Sequence, residues 1–423
     1  MHRFWSADGL DAAGLFLYLG ANHPVATFAT IATLTWLGFT CADWVRGFGN
    51  SGRRTDGAGF DTELPDARES ALAAIRESDP GFEEAAFLKR AEAAFRTISD
   101  AWSAQDMSRA RAFVSDGMNE RFTRLIAEDQ ELGRSRRAPG VEPGRTQALG
   151  YATGLHFDAA HVAFAGPDLS EVWTFLRRPG AKTLARPGPI EGNCPSCGAP
   201  LVLADAARCA ACGTWVNSGE YDWVLTGITP AAQWEFPNPG REVTAWAEMR
   251  EADPGLCLEA LADRASVAFW RWLDARRRAD PSPLGGVATS LFLRELSFDA
   301  SFELGASVEL SEVEAFEHFA SGDRAHALVR WKADEMRRRD DGPAQCVGPD
   351  AFAHFLTFHR RAGVRSDPKH GLTSTRCPGC GASAERPDAP ACAYCGAVFN
   401  DGSRGWALSE ITPFGEWRRP REP

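Results

Sequence analysis

Eight cysteines in two groups constrain this chain more than any other feature. Cys194, Cys197, Cys209 and Cys212 are spaced as C-x2-C, eleven residues, C-x2-C; Cys377, Cys380, Cys392 and Cys395 repeat that spacing 183 positions later. A C-x2-C turn presents two sulfurs to one metal, and two such turns complete the tetrahedron that zinc prefers. Gly198, Gly213, Gly381 and Gly396 each follow the second cysteine of a pair, where positive φ lets backbone N–H groups point at the sulfurs. The remaining cysteines, Cys41, Cys257 and Cys346, have no partner at a recognisable spacing. Tight pairs with an odd total of eleven read as metal ligation in a reducing compartment, not as a disulfide framework. Iron fits the same tetrahedron, so ligand type alone does not separate it from zinc. Four thiolates leave no open position, so each site is expected to be structural, a staple and not a reaction centre.

The shift of 183 extends beyond the cysteines. "YDWVLTGITP" at Tyr221–Pro230 matches "RGWALSEITP" at Arg404–Pro413, and "TFLRRPGAKT" at Thr174–Thr183 matches "TFHRRAGVRS" at Thr357–Ser366. The same shift pairs Trp223 with Trp406 and Trp234 with Trp417. Upstream, "ALAAIRESDPGF" at Ala71–Phe82 matches "AWAEMREADPGL" at Ala245–Leu256 at a shift of 174, which places a net nine-residue insertion in the second unit. The order of matched blocks predicts an anchor at 1–47, a Gly-rich tether at 48–61, a first unit at 62–240 with its ribbon at 193–216, and a second at 241–423 with its ribbon at 376–399.

Each unit runs from helix to strand. Phe87, Ala91, Phe95, Ile98 and Trp102 fall three or four apart, as do Leu261, Ala265, Phe269, Trp272 and Arg276. A further helix is expected over Met107–Leu132. Alternating runs follow, "HVAFA" and "EVWTFLRR" in the first unit and "ELSFDASFELGASVEL", "HALVRWKADE" and "AHFLTFHRR" in the second. Alternation joined by short turns means antiparallel strands. The fold class is therefore α+β, two tandem units with helices packed on a curved antiparallel sheet. Each ribbon falls between two strands that are expected to pair, where it would clamp a hairpin.

Ala12–Ala42 contains no Asp, Glu, Lys or Arg, which is long enough to cross a hydrocarbon layer of about 30 Å as a helix. The bland alternative, a buried soluble helix, fits poorly with the Gly-rich stretch that follows. Arg46, Arg53 and Arg54 come after the span and only Arg3 before it, which directs the bulk of the chain to the cytoplasmic side.

The net charge of −11 argues against a general polyanion binder, and Arg208 and Arg386 are the only basic residues inside the two cysteine clusters. The runs Arg276–Arg278, Arg337–Arg339 and Arg360–Arg361 read as solvated faces. Candidates for a small-ligand or catalytic cavity are His156, His161, His354 and His359, with Asp158 or Glu171 as partners. Against that, His161 and His359 have no histidine at the matched position of the other unit, and no phosphate loop, nucleophile elbow or zinc-protease motif is present.

Asp79–Phe122, "EVWTFLRRPGAKT" and the "YDWVLT" of Tyr221–Thr226 resemble the Tim44-like domain, well over 66–235 and more weakly over 241–423. The second unit departs at Arg276–Arg278 and across its insertion. The resemblance implies a cone similar to the nuclear transport factor two fold. It also implies a bacterial inner-membrane protein acting as a non-enzymatic scaffold, facing the cytoplasm and docking a protein partner or a lipid surface, in protein translocation or membrane-protein assembly. A ribosome- or RNA-associated role is the other class that the relatives suggest. No catalytic residues carry over.

Overall fold

The computed structural model describes residues 65–420, except 134–142, 168, 185–187, 204–206, 238–240, 309–310, 340–341, 368–371, 373–376, 378–379, 381 and 383–388. The span expected at 12–42 and the tether lie outside the described residues. Among the described residues no helix is long and apolar enough to cross a membrane. All of them fall within one unit, Phe60–Pro423.

The first half opens with helices α1 (Pro65–Ser78), α2 (Glu84–Ser103) and α3 (Asp116–Glu131). The helix expected over Met107–Leu132 is broken. A 3-10 turn at Met107–Arg109 is followed by extended chain, and Ser115 starts α3 by accepting the Met118 N–H at 3.2 Å. Strands β1 (Arg145–Thr153), β2 (Asp158–Gly166), β3 (Leu169–Arg177) and β4 (Val224–Pro230) form an antiparallel sheet in that order. The apolar stripe of α2 (Phe87, Ala91, Phe95 and Ile98) is buried with Val162, Phe164, Trp173 and Phe175 of the sheet. The mixed α+β class and antiparallel pairing agree with the sequence pattern. Strand β1 was not signalled by it.

The second half repeats this plan with α4 (Trp246–Ala252), α5 (Leu258–Arg278) and α6 (Ser290–Glu295). Its strands are β5 (Ser301–Val308), β6 (Glu312–Phe319), β7 (Gly322–Arg339), β8 (Gly342–Arg361) and β9 (Ala407–Pro413). The order is β5-β7-β8-β9, with β6 also paired to β7. Register irregularities locate the correspondence. The one at Ala148/Gly150 recurs at Val313/Ala315, and that at Thr174/Phe175 recurs at Thr357/Phe358. Strands β6 and β7 thus stand for β1 and β2 at a shift of 165, Asp158 corresponding to Asp323.

The nine-residue insertion is therefore two opposite changes. The third helix shrinks from 16 residues in α3 to 6 in α6, which lowers the shift from 174 to 165. The central hairpin then grows, from nine residues in each of β2 and β3 to 18 in β7 and 20 in β8, which raises the shift to 183. The additional strand β5 pairs with the added length of β7, from Val308 opposite Trp331 to Ser301 opposite Arg337.

The halves meet where α3 lies on α5. Helix α2 exposes Lys89, Arg96 and Asp100; at the matched positions α5 buries Asp263, Trp270 and Asp274. Arg271 pairs with Glu120 at 2.6 Å, Arg124 with Asp274 at 2.6 Å, and Arg277 with Glu131. Burial opposes a charge on Glu120, but Arg271 and Arg124 outweigh it and hold its carboxyl below the usual range. The run Arg276–Arg278 is thus not a free solvated face, whereas Arg337 and Arg339 are exposed as expected and Arg338 between them is tied down. Arg276 makes a two-pronged pair with Glu303 at 2.9 and 2.8 Å, and Arg277 and Arg278 reach Asp274 at 2.6 and 2.9 Å. Arg338 donates to the Asp299 carbonyl at 2.6 Å.

Candidate metal centres

Each cysteine group sits between two paired strands, the first between β3 and β4 and the second between β8 and β9. Within each group the four sulfurs lie within 4.8 Å of one another. Cys194 and Cys212 are 3.7 Å apart, Cys197 and Cys209 3.8 Å, Cys377 and Cys395 3.6 Å, and Cys380 and Cys392 3.8 Å. A disulfide requires about 2.05 Å. Four sulfurs at about 2.3 Å from a central zinc stand roughly 3.8 Å apart, so the cages fit a tetrahedral ion.

Small backbone hairpins set this geometry. The Cys194 N–H donates to the Ala199 carbonyl at 2.8 Å and the Gly198 N–H to the Cys194 carbonyl at 2.9 Å; Cys392 and Gly396 do the same in the second group. The returns place Gly198, Gly213 and Gly396 at φ of +76°, +76° and +70°, the left-handed region that glycine enters without strain. One cysteine of each pair is buried and the other exposed. With all four positions taken by sulfur, such an ion would bind no substrate. Its chemistry would be to hold the two turns together.

The first ribbon is fastened to its own long helix. Arg90 of α2 pairs with Asp222 at 2.5 Å and donates to the carbonyls of Gly188 and Leu184, and Thr97 donates to Glu191 at 2.9 Å. Beneath lie Ala112, Ile190, Leu203, Ala207 and Val216 with Cys194 and Cys209. In the second half the position of Asp222 is Gly405, and that of Thr97 is Arg271, which is engaged with Glu120 of α3.

A buried cluster at the base of the ribbons occurs twice, and the sequence reading missed it. Arg177 pairs with Asp79 at 2.8 Å, lies 3.9 Å from Asp158, and stacks over Trp223 at 4.7 Å. Asp79 also accepts from the backbone and hydroxyl of Thr183. In the second half Arg360 pairs with Asp253 and with Asp323 at 2.8 Å, and stacks over Trp406 at 4.4 Å, while Ser366 donates to Asp253. Arg360 is 1% exposed, so the solvated-face reading of Arg360–Arg361 is wrong for Arg360: its charge is compensated inside the fold. The signal was present in the matched "DPGF/DPGL" and "LRR/HRR" blocks, which place the same aspartate and the same arginine in both halves.

The histidine and carboxylate candidates do not converge. His161 is buried against Thr174 at 3.1 Å and under Trp234 and Phe236, and burial pushes its imidazole down to about 4. It has a counterpart after all: His326 makes the same contact to Thr357 at 3.0 Å and lies beside Trp417. The single sequence shift of 183 hid this pair, because β2 and β7 are related by 165. His354 packs between Trp272 and Trp331, where burial likewise takes it down to about 4. Asp158 faces Arg177, with its carboxyl raised by burial against the pull of that cation. Glu171 accepts from the Trp173 indole at 2.9 Å. His156 lines an open groove with Leu155, Arg178 and Glu220, and burial, with the charges of Arg324 and Arg361, lowers His359 against the pull of Asp323. A cavity of about 220 Å³ opens beside Phe82, Phe87, Arg177 and Trp223. The cations on its wall already have partners: Arg90 in Asp222, Arg177 in Asp79 and Lys182 in the Ser78 carbonyl.

A family model described as the Tim44-like domain matches residues 68–143. The match covers the helices of the first half and stops just before β1. No curated protein and no solved structure matches the chain.

Proposed function

We propose that the chain is a non-enzymatic scaffold or adaptor, held at a membrane by its N-terminal segment and docking a protein partner or a lipid surface. The observation that carries this reading is the Tim44-like match over 68–143, on the helices that support the first sheet. The four-sulfur cages support it, because a closed thiolate site stabilises and does not turn over substrate. In this reading both halves are Tim44-like units on a cone similar to the nuclear transport factor two fold, the second divergent and each with a zinc ribbon. The bulk of the chain faces the cytoplasm of a bacterium from the inner membrane, in a role linked to protein translocation or membrane-protein assembly.

Fractionation tests the tether. The full chain is expected in the membrane pellet after an alkaline wash, and a version starting at Thr62 in the supernatant. If both are soluble, the anchor is lost from the proposal. Crosslinking in cells followed by mass spectrometry then tests the adaptor role: a reproducible protein or lipid adduct on residues 65–420 supports it. Turnover of a small molecule by the purified chain would contradict it.

A further inference from the structure

Two of the first-turn N–H groups of α3 are held by the other half of the chain. The Gly117 N–H donates to Oδ1 of Asp263 on α5 at 3.1 Å, and the Asp116 N–H donates to the carbonyl of Leu372 at 3.3 Å. Ser115 supplies the one local cap. The approach is close: a Cβ on Gly117 would stand 2.6 Å from Asp263 Oδ1 and 2.8 Å from Ser266 Cβ. Asp263 is 5% exposed and its Oδ2 has no hydrogen-bond partner. The matched residue of α2 is Lys89, which is exposed, so this carboxyl belongs to the junction and not to the shared plan.

We infer that the junction between the halves is a proton-sensitive clasp, in which the carboxyl of Asp263 holds the N-terminus of α3 and loosens its hold when it must carry a charge. Two charges on the α3 side face it: Asp116, itself 1% exposed, and Arg111, which pairs with Asp116. Asn217 also donates to Asp116 at 3.3 Å. On its own helix the neighbours are Arg264 and, two turns on, Arg271, which is engaged with Glu120. Burial, and then the charge of Asp116, oppose ionisation; the Ser115 hydroxyl, the Gly117 N–H and Arg111 favour it, and the carboxyl ends up raised to about 7. A separated junction would return it to about 3.9.

Between those values the closed junction keeps a proton that the open one has lost. Closure is therefore strongest below about pH 4, weakens as pH rises towards 7, and changes little above. Hydrogen exchange of the full-length chain, followed on peptides covering 116–125 and corrected for intrinsic rates, reads this directly. Protection is expected to fall about fiftyfold from pH 5 to pH 7 and then level off. Asp263→Asn keeps an acceptor for Gly117 but has no proton to lose, and its protection is expected to stay flat. A flat wild-type profile, or the same fall in Asp263→Asn, overturns the inference. Should that variant fail to fold, carbon-13 carboxyl titration of the wild-type chain decides instead. A buried aspartate titrating near neutral supports the clasp, and its absence contradicts it.

Discussion

The long helices α2 and α5 occupy the same place in their halves and have different neighbours. Helix α2 turns its apolar stripe to its own sheet, holds its own ribbon through Arg90 and Thr97, and leaves Lys89, Arg96 and Asp100 in solvent. Helix α5 has almost no solvent face, because α3 of the first half covers the side bearing Asp263, Trp270 and Asp274. A helix buried nearly all round is a core element, and here the core is shared by the two halves. The arrangement has a direction. The first half extends a 16-residue third helix onto the second, whose own third helix has 6 residues and offers nothing equivalent to pass on. The two halves share a frame, and the residues on one helix face of α5 join them.

The comparison can be broken most sharply where the halves agree. Arg177→Met and Arg360→Met each leave two buried aspartates without their cation, and each is expected to cost about 3–5 kcal/mol in a denaturant melt. If one is costly and the other neutral, the two clusters are not equivalent. Where the halves differ, the outcomes should diverge. Asp222→Gly installs the residue that the second half carries at Gly405 and removes the partner of Arg90. A loss of about 2 kcal/mol is expected, with the first ribbon becoming more sensitive to protease. An unchanged ribbon would mean that Arg90 is not its fastening.

A smaller pair of variants sharpens the contrast at the junction. Gly117→Ala pushes a methyl group into Asp263 and Ser266, and is expected to cost about 1–3 kcal/mol. Its counterpart Leu291 is 57% exposed, and Leu291→Ala should stay within about 0.5 kcal/mol of wild type. Equal effects in thermal melts would show that α3 and α6 have the same role.

Elements that obey local rules were legible in the sequence. The cysteine spacing located both cages, because ligand geometry depends on a few neighbouring residues. The three-to-four periodicity of Phe87, Ala91, Phe95 and Ile98 located α2, and alternation located β2 and β3. Strands β1 and β6 escaped, since "RTQALGYAT" and "EVEAFEHF" alternate weakly and are defined by pairing with a neighbour. The relation of His161 to His326 escaped because the shortened helix drops the shift to 165 only across β1 and β2, before the lengthened hairpin raises it to 183. The clasp at Asp263 was out of reach for a different reason. A charged residue on a helix reads as a solvent-facing one until another helix is seen to cover it.

The central claim is that both halves are versions of one unit, each closed by its own four-cysteine metal site. Elemental analysis of the purified full-length chain and of two variants tests it most directly. The account predicts two zinc ions per chain, and one in each of Cys197→Ser and Cys380→Ser. A folded wild-type chain with no metal, or a single variant that empties both sites, would contradict it.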